Sequence, residues 1–260
     1  MLERKPVFPN IIEVNHQLGT VLGCNVYVIY DEDQWIMIDV GYEEAVDEII
    51  EMIRDLDLPF SGCQGLIATH ADVDHSQGLA KAKQILKAPV LAHRLAAKPL
   101  EDGDRLKTFA LIEAQGIDMA MPPVSIDRLI DDGDHLEVGN LQLDVWLTPG
   151  HTDSQLSFRM GEFLFSGDNI YQDGCIGAID AHHGSDLTAF IKSLTRIKES
   201  DAKWLLPSHG PIFRKNDELL QSAIDRVTGY LHMADFGTCA IDWPMMDQFE
   251  EDIAAGKMPE

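Results

Sequence analysis

The run Thr69-His70-Ala71-Asp72-Val73-Asp74-His75 places two imidazoles and two carboxylates within six consecutive positions, directly after the apolar stretch Gly65-Leu66-Ile67-Ala68. These side-chain types ligate metals, and a loop at a strand end can turn several of them toward one point. Three further segments repeat the placement. Leu147-Thr148-Pro149-Gly150-His151 puts a His just past an apolar run, Phe165-Ser166-Gly167-Asp168 an Asp, and Leu206-Pro207-Ser208-His209-Gly210 a second His. Gly or Pro marks the turn each time. A solitary loop His more often serves local hydrogen bonding than a metal. Seven candidates, each just beyond a predicted strand, are poorly explained by coincidence, because strand ends in a layered fold can meet at one edge.

The elements that must carry them are legible in outline. Val26–Tyr30 and Trp35–Ile38 read as paired strands joined by Asp31-Glu32-Asp33. A helix over 42–56 places Val46, Ile49, Ile50, Ile53 and Leu56 on one face, and a second follows over 76–86. Leu141–Leu147 and Leu156–Met160 alternate apolar and polar residues, and Phe163–Phe165 and Trp204–Leu206 are short apolar runs. Helices are predicted over 186–198, with Ser185 as N-cap, and over 217–233. Strands followed by helices, given twice, predict an α/β (α+β) fold. Its form is a four-layer αβ/βα sandwich, two mixed sheets face to face with helices outside. We read residues 1–260 as a single domain. The segment 100–123, helical over Leu106–Gln115, reads as an insertion near the active site, and 211–260 as a C-terminal helix and tail.

The chain has 260 residues, 45% apolar and 25% charged, with a formal net charge of −24. A strongly acidic surface repels phosphate backbones and anionic membranes, so neither nucleic acid nor membrane is an expected partner. Cys24, Cys63, Cys175 and Cys239 form no C-x-x-C pair and read as free buried thiols of a reducing compartment. Without a visible signal peptide or an apolar run of about 20 residues, the expected location is cytoplasmic.

With these motifs in view, the chain resembles the metallo-β-lactamase superfamily, whose signature is H-x-H-x-D-H followed by a His, an Asp and a His. The likeness extends from the β-rich start to Ser208-His209-Gly210. It implies that His70, Asp72 and His151 hold one metal ion, that Asp74, His75 and His209 hold another, and that Asp168 bridges them. It also implies that Asp39, in Ile38-Asp39-Val40-Gly41, supports the ligands from behind. The departure is Asp72, where the family usually has His. Two divalent ions, three Asp and one hydroxide then sum to zero charge, and added carboxylate shifts preference from Zn toward Fe or Mn.

The resemblance implies a metal-dependent hydrolase in which a hydroxide shared by two divalent ions attacks an ester, lactone, thioester or amide carbonyl. Asp74 or Asp168 would orient the nucleophile or carry its proton. Lactone-hydrolysing members carry a Tyr at the offset of Tyr171, whose hydroxyl would polarise the carbonyl; the alternative is strand packing. The neutral cluster and acidic surface predict a neutral or apolar acyl compound as the small-molecule substrate. His182 and His183 could offset the imidazole missing at 72, but read more simply as helix-entry residues. His16, His93, His135 and His232 have no partner pattern. Phe236, Trp243 and Met245 suit core or homodimer packing, or an apolar wall over the metals. The rival function is a di-iron redox or oxygen-binding and sensing protein of the flavodiiron-like branch, whose members also replace the second His by a carboxylate. A binding module that has lost turnover is a third.

Overall fold

The structure, a computed structural model, describes residues 3–15, 23–180 and 184–235. His16, His182, His183, Cys239 and the tail aromatics Phe236 and Trp243, with Met245, lie outside the described residues. Strands β1 (Glu3–Phe8), β2 (Ile11–Asn15), β3 (Asn25–Asp31), β4 (Gln34–Ile38), β5 (Cys63–Ile67) and β6 (Val90–Ala92) lie side by side in that order. A small hairpin, β7 (Leu111–Ile112) and β8 (Ile117–Asp118), precedes β9 (Arg128–Leu129), which completes this sheet beside β6. The second sheet runs β10 (His135–Val138), β11 (Leu141–Leu147), β12 (Leu156–Met160), β13 (Phe163–Gly167), β14 (Trp204–Pro207) and β15 (Phe213–Arg214). Both sheets are mixed: β4 to β5, β5 to β6, β6 to β9 and β13 to β14 are parallel pairs.

Period-two alternation explains why the sheets are covered on both sides. In β3 and β4, Val26, Val28, Trp35 and Met37 join one apolar layer, while Tyr27, Ile29, Ile36 and Ile38 join the next. The first layer packs against α1 (Val46–Asp55), α3 (Leu79–Leu86) and α4 (Arg94–Asp102), through residues such as Ile49, Ile53, Leu79 and Leu100. Each such fully buried side chain contributes roughly 1.5–3 kcal/mol relative to exposure. The middle layer fills the space between the sheets with Leu143, Val145, Phe158 and Phe165 among others. The third lies under α5 (Leu187–Glu199) and α6 (Asp217–Asp235), where Phe190, Leu194, Leu220 and Val227 meet. Three apolar layers between four layers of secondary structure give the expected αβ/βα sandwich.

Several local expectations are corrected. The helix expected over 42–56 begins as a 3₁₀ turn at Glu43–Ala45, and the one over 76–86 splits into a short α2 (Val73–Ser76) and α3. Leu106–Gln115 is not an α-helix: it holds turns, β7 and a 3₁₀ turn, with Phe109 in the left-handed region at φ 54°. The helix in this part is α4, which begins earlier and tolerates Pro99 in its interior before Gly103 ends it at φ 61°. Segment 100–123 does not stand apart from the core, because Leu100, Ala110 and Met121 are buried in the first apolar layer. Ser185 does not cap α5; Asp186 does, its side chain accepting from Ala189 N at 2.6 Å. Cys24 and Cys63 are buried free thiols, but Cys175 is exposed. No helix among the described residues is long and apolar enough to cross a membrane.

Candidate metal centre

The strands fix where the loops emerge. β4 and β5 run parallel, and β11, β13 and β14 share one direction because each of the two antiparallel steps from β11 to β13 reverses it. His70 follows β5, His151 follows β11, Asp168 follows β13 and His209 follows β14. Their carboxyl ends meet at one edge of the sandwich, and all seven expected side chains converge there.

The first set is compact. His151 Nε2 lies 3.2 Å and His70 Nε2 3.5 Å from Asp72 Oδ2. In the second, Asp74 Oδ2 is 3.6 Å from His75 Nε2 and 3.5 Å from His209 Nε2. Asp168 sits between the sets: its carboxylate oxygens are 3.6 Å from His75, 3.3 Å from His209 and 3.8 Å from His151. All except Asp74 and His209 are buried.

Outer hydrogen bonds aim the imidazoles. The Nδ1–H of His75 donates to Asp39 Oδ2 at 2.9 Å. The Thr69 hydroxyl donates to Asp39 and stands 2.9 Å from His70 Nδ1; its single proton is committed, so the ring nitrogen is the donor in that contact. The Nδ1–H of His151 donates to the Ala178 carbonyl at 2.7 Å. Each of these rings is held as the tautomer that turns an Nε2 lone pair inward. Gly177 permits the last contact, since a Cβ there would lie 2.7 Å from His151 Cγ. Gly150 has φ 152° and packs against Phe190, where a Cβ would approach to 2.4 Å, so neither the backbone nor the space accepts another residue.

The inward atoms test whether a metal fits. His70 Nε2, His75 Nε2 and Asp168 Oδ1 are buried and have no hydrogen-bond partner among the described residues. Groups this costly to leave unsatisfied, pointing at one small volume, are what a cation would satisfy. The sets His70, Asp72, His151 and Asp74, His75, His209 each bring one ligand atom per residue within 4.8 Å of one another. The electrostatics agree. Burial opposes charge on His151, but the adjacent Asp72 carboxylate overcomes it and pushes the ring up to about 9. Burial likewise opposes charge on His75 and His209, and Asp74 and Asp168 outweigh it. Burial and the charge of His75 hold His70 below its ordinary value. The pocket demands positive charge, and a donor set of imidazole and carboxylate suits divalent ions.

Tyr171 packs edge-on against His209, ring centroids 5.5 Å apart, with the Asp168 carboxylate near enough to act on its hydroxyl. Burial and the Asp168 charge raise its pKa well above the ordinary value, so it stays a donor. His93 is instead the N-cap of α4, accepting from Leu95 N. His135 pairs with Asp144 on β11 at 2.8 Å.

Residues without a motif also build the site. Asn25 Nδ2 donates to Pro207 O and Gly210 O at 3.1 and 2.7 Å, and Tyr27 Oη to Pro207 O at 2.7 Å, clamping the loop that carries His209. Asn169 Nδ2 donates to Thr148 Oγ1 and Ser166 O, tying the Asp168 loop to the His151 loop. Val73 N–H donates to Thr108 O and Gln77 Nε2 to Ala120 O, both at 2.7 Å, so segment 100–123 braces the ligand loop. Thr69, by contrast, stands in the ligand run itself, directly before His70.

Comparison with known proteins follows the same lines. The profile of the metallo-beta-lactamase superfamily matches residues 19–209. A probable metallo-hydrolase, YqgX, of Bacillus subtilis is 28% identical over 194 residues, covering 72% of this chain and 85% of its own. An acyl-coenzyme A thioesterase, MBLAC2, of Gallus gallus is 29% identical over 164 residues, 56% of each protein, so this chain spans about half that relative's length. Among solved structures, a metallo-beta-lactamase from Cronobacter sakazakii superposes with a TM-score of 0.70 at 16% identity, covering 93% of this chain and 100% of its own.

Proposed function

The chain belongs to the metallo-beta-lactamase superfamily and is a metal-dependent hydrolase, and from that premise we propose that it uses two divalent ions to cleave the acyl bond of a small-molecule substrate. The observation that carries the reading is the pair of His, His, Asp sets with Asp168 between them. His70, Asp72 and His151 would hold one ion, Asp74, His75 and His209 the other, and Asp168 both. Bound there, the metals would supply Lewis acidity toward the carbonyl and lower the pKa of water toward about 7.

The chain's own groups do the rest. Asp74, the least buried of the three carboxylates, can receive the water proton at Oδ1, the oxygen that ligation through Oδ2 leaves free, and return it to the departing group. Tyr171, a protonated phenol beside Asp168, can donate to the carbonyl oxygen as charge develops on it. The water oxygen becomes bonded to the acyl carbon, the bond to the leaving group breaks, and the proton leaves with that group.

Ester, lactone, thioester and amide are all compatible with this geometry. A thioester leads, because a relative of similar sequence is named an acyl-coenzyme A thioesterase. The acyl part is expected to be neutral or apolar, since a metal cluster of zero net charge offers no pull on an anion at the reacting end. The test is metal content and turnover of a panel of thioesters, aryl esters, lactones and phosphodiesters, with oxygen uptake followed in parallel. Two metals and acyl hydrolysis are expected; metal-dependent oxygen consumption without hydrolysis would favour the di-iron reading suggested by Asp72.

A further inference from the structure

We propose that the cleft beside the first ligand set is a phosphate-binding subsite for the leaving-group end of the substrate, the phosphate being carried by a thiol such as phosphopantetheine. The inference rests on the acyl-hydrolase reading above and adds to it the class of leaving group. The cleft has a volume of about 510 Å³, and its wall includes Ala71 and Thr152, the sequence neighbours of Asp72 and His151. One end of it therefore adjoins the ligand loops.

Its charge is opposite to that of the protein. The chain carries 44 acidic residues against 20 Lys and Arg, yet Arg94, Lys98 and Lys107 line this one cleft and Asp153 is the sole acid on its wall. Arg94 and Lys98 are one turn apart on α4, so they share a helix face. Lys107 approaches from the chain beyond the helix. Lys98 pairs with Asp102 at 2.5 Å. Among the described residues, no carboxylate forms an ion pair with Arg94 or Lys107, although acids outnumber bases more than two to one. Cations gathered in a concave wall concentrate positive potential and draw an anion into it. An Arg fork with Lys point charges suits the several oxygens of a phosphate. The overall charge of −24 argued for a neutral substrate; this local reversal assigns the neutral part to the acyl end and the anion to the other.

The experiment compares S-acetyl-phosphopantetheine with S-acetyl-pantetheine, which differ by one phosphate, on the metal-loaded protein. Binding of the two free thiols is measured by calorimetry in parallel. We expect kcat/KM and affinity to favour the phosphorylated compound by roughly tenfold or more, as charged hydrogen bonds require, with salt weakening the preference. In Arg94→Ala/Lys107→Ala the preference should collapse toward unity. Lys203→Ala, which removes a cation at the far end of β14, should keep it. Turnover of both thioesters at equal kcat/KM would overturn the subsite and leave the hydrolase standing. A phosphate-dependent difference in thiol binding without turnover of either thioester would uphold the subsite and overturn the acyl reading. Equal affinity for the two thiols would also overturn the subsite.

Discussion

Asp39 accepts the Nδ1–H of His75 at 2.9 Å and, through the Thr69 hydroxyl, holds His70 as well. One carboxylate, with its backbone in the left-handed region at φ 57°, thus orients an imidazole of each proposed ligand set. Asp is among the few residues that adopt this conformation readily.

The first prediction follows from that sharing. Asp39→Ala should weaken both metals by roughly 10- to 100-fold, as loss of outer-shell partners does. His209→Ala removes a ligand from one set and should cost mainly one metal. Chelator competition, read as two binding steps, separates the two patterns. If Asp39→Ala weakened only one step, the role of Thr69 as relay would be wrong.

A second prediction concerns the loop after β14. Tyr27→Phe removes one hydrogen bond to Pro207 O and should cost about 1 kcal/mol. Asn25→Ala removes two such bonds and leaves the Pro207 and Gly210 carbonyls short of donors, costing roughly 1–3 kcal/mol. Both should lower the affinity of the metal held by His209 more than that held by His151. Denaturant unfolding together with metal titration checks this, and equal loss at both sets would contradict it.

These two residues also mark the limit of what the sequence discloses. His70, Asp72, Asp74 and His75 stand out because ligation demands particular side chains, crowded at a strand end. Asn25 and Tyr27 act across separations of 182 and 180 residues, and nothing in their neighbourhood signals the partner. The sandwich was legible for a related reason: period-two alternation and amphipathic helices are local patterns that report which faces are buried. Helix α4 was not, because Pro99 conceals it, and with it went the meeting of Arg94 and Lys107 in one cleft. Segment 100–123 misled because its polar turns obscure the few apolar residues that enter the core.

A third prediction tests Tyr171. If its hydroxyl supports the carbonyl oxygen, Tyr171→Phe should lower kcat by roughly 10- to 1,000-fold while leaving metal content intact. The Asp168 carboxylate acts on the same hydroxyl, so a structural role would appear instead as altered metal affinity with turnover little changed. Measuring both on one preparation decides between them.

The last prediction concerns Asp72. Its Oδ2 lies 3.2 Å from His151 Nε2 and 3.5 Å from His70 Nε2, so the shorter side chain still reaches the pocket. Its effect is therefore on the kind of donor rather than on the number of donors. A charged oxygen replaces a neutral nitrogen, and both sets become two imidazoles and a carboxylate, a combination that suits Fe or Mn better than an all-imidazole set does. The same charge offsets one unit of metal charge, which should weaken Lewis acidity toward a carbonyl. Protein isolated under equal iron and zinc supply should therefore hold more Fe or Mn than Zn. Asp72→His should reverse that order and raise hydrolysis of the best substrate. The larger ring must fit beside His70 and His151, whose centroids are only 5.0 Å apart; a crowded variant would lose the first metal altogether. Metal analysis of the variant separates crowding from a change of preference, because only crowding empties the set. Zinc dominating the wild-type protein would refute the argument from donor hardness.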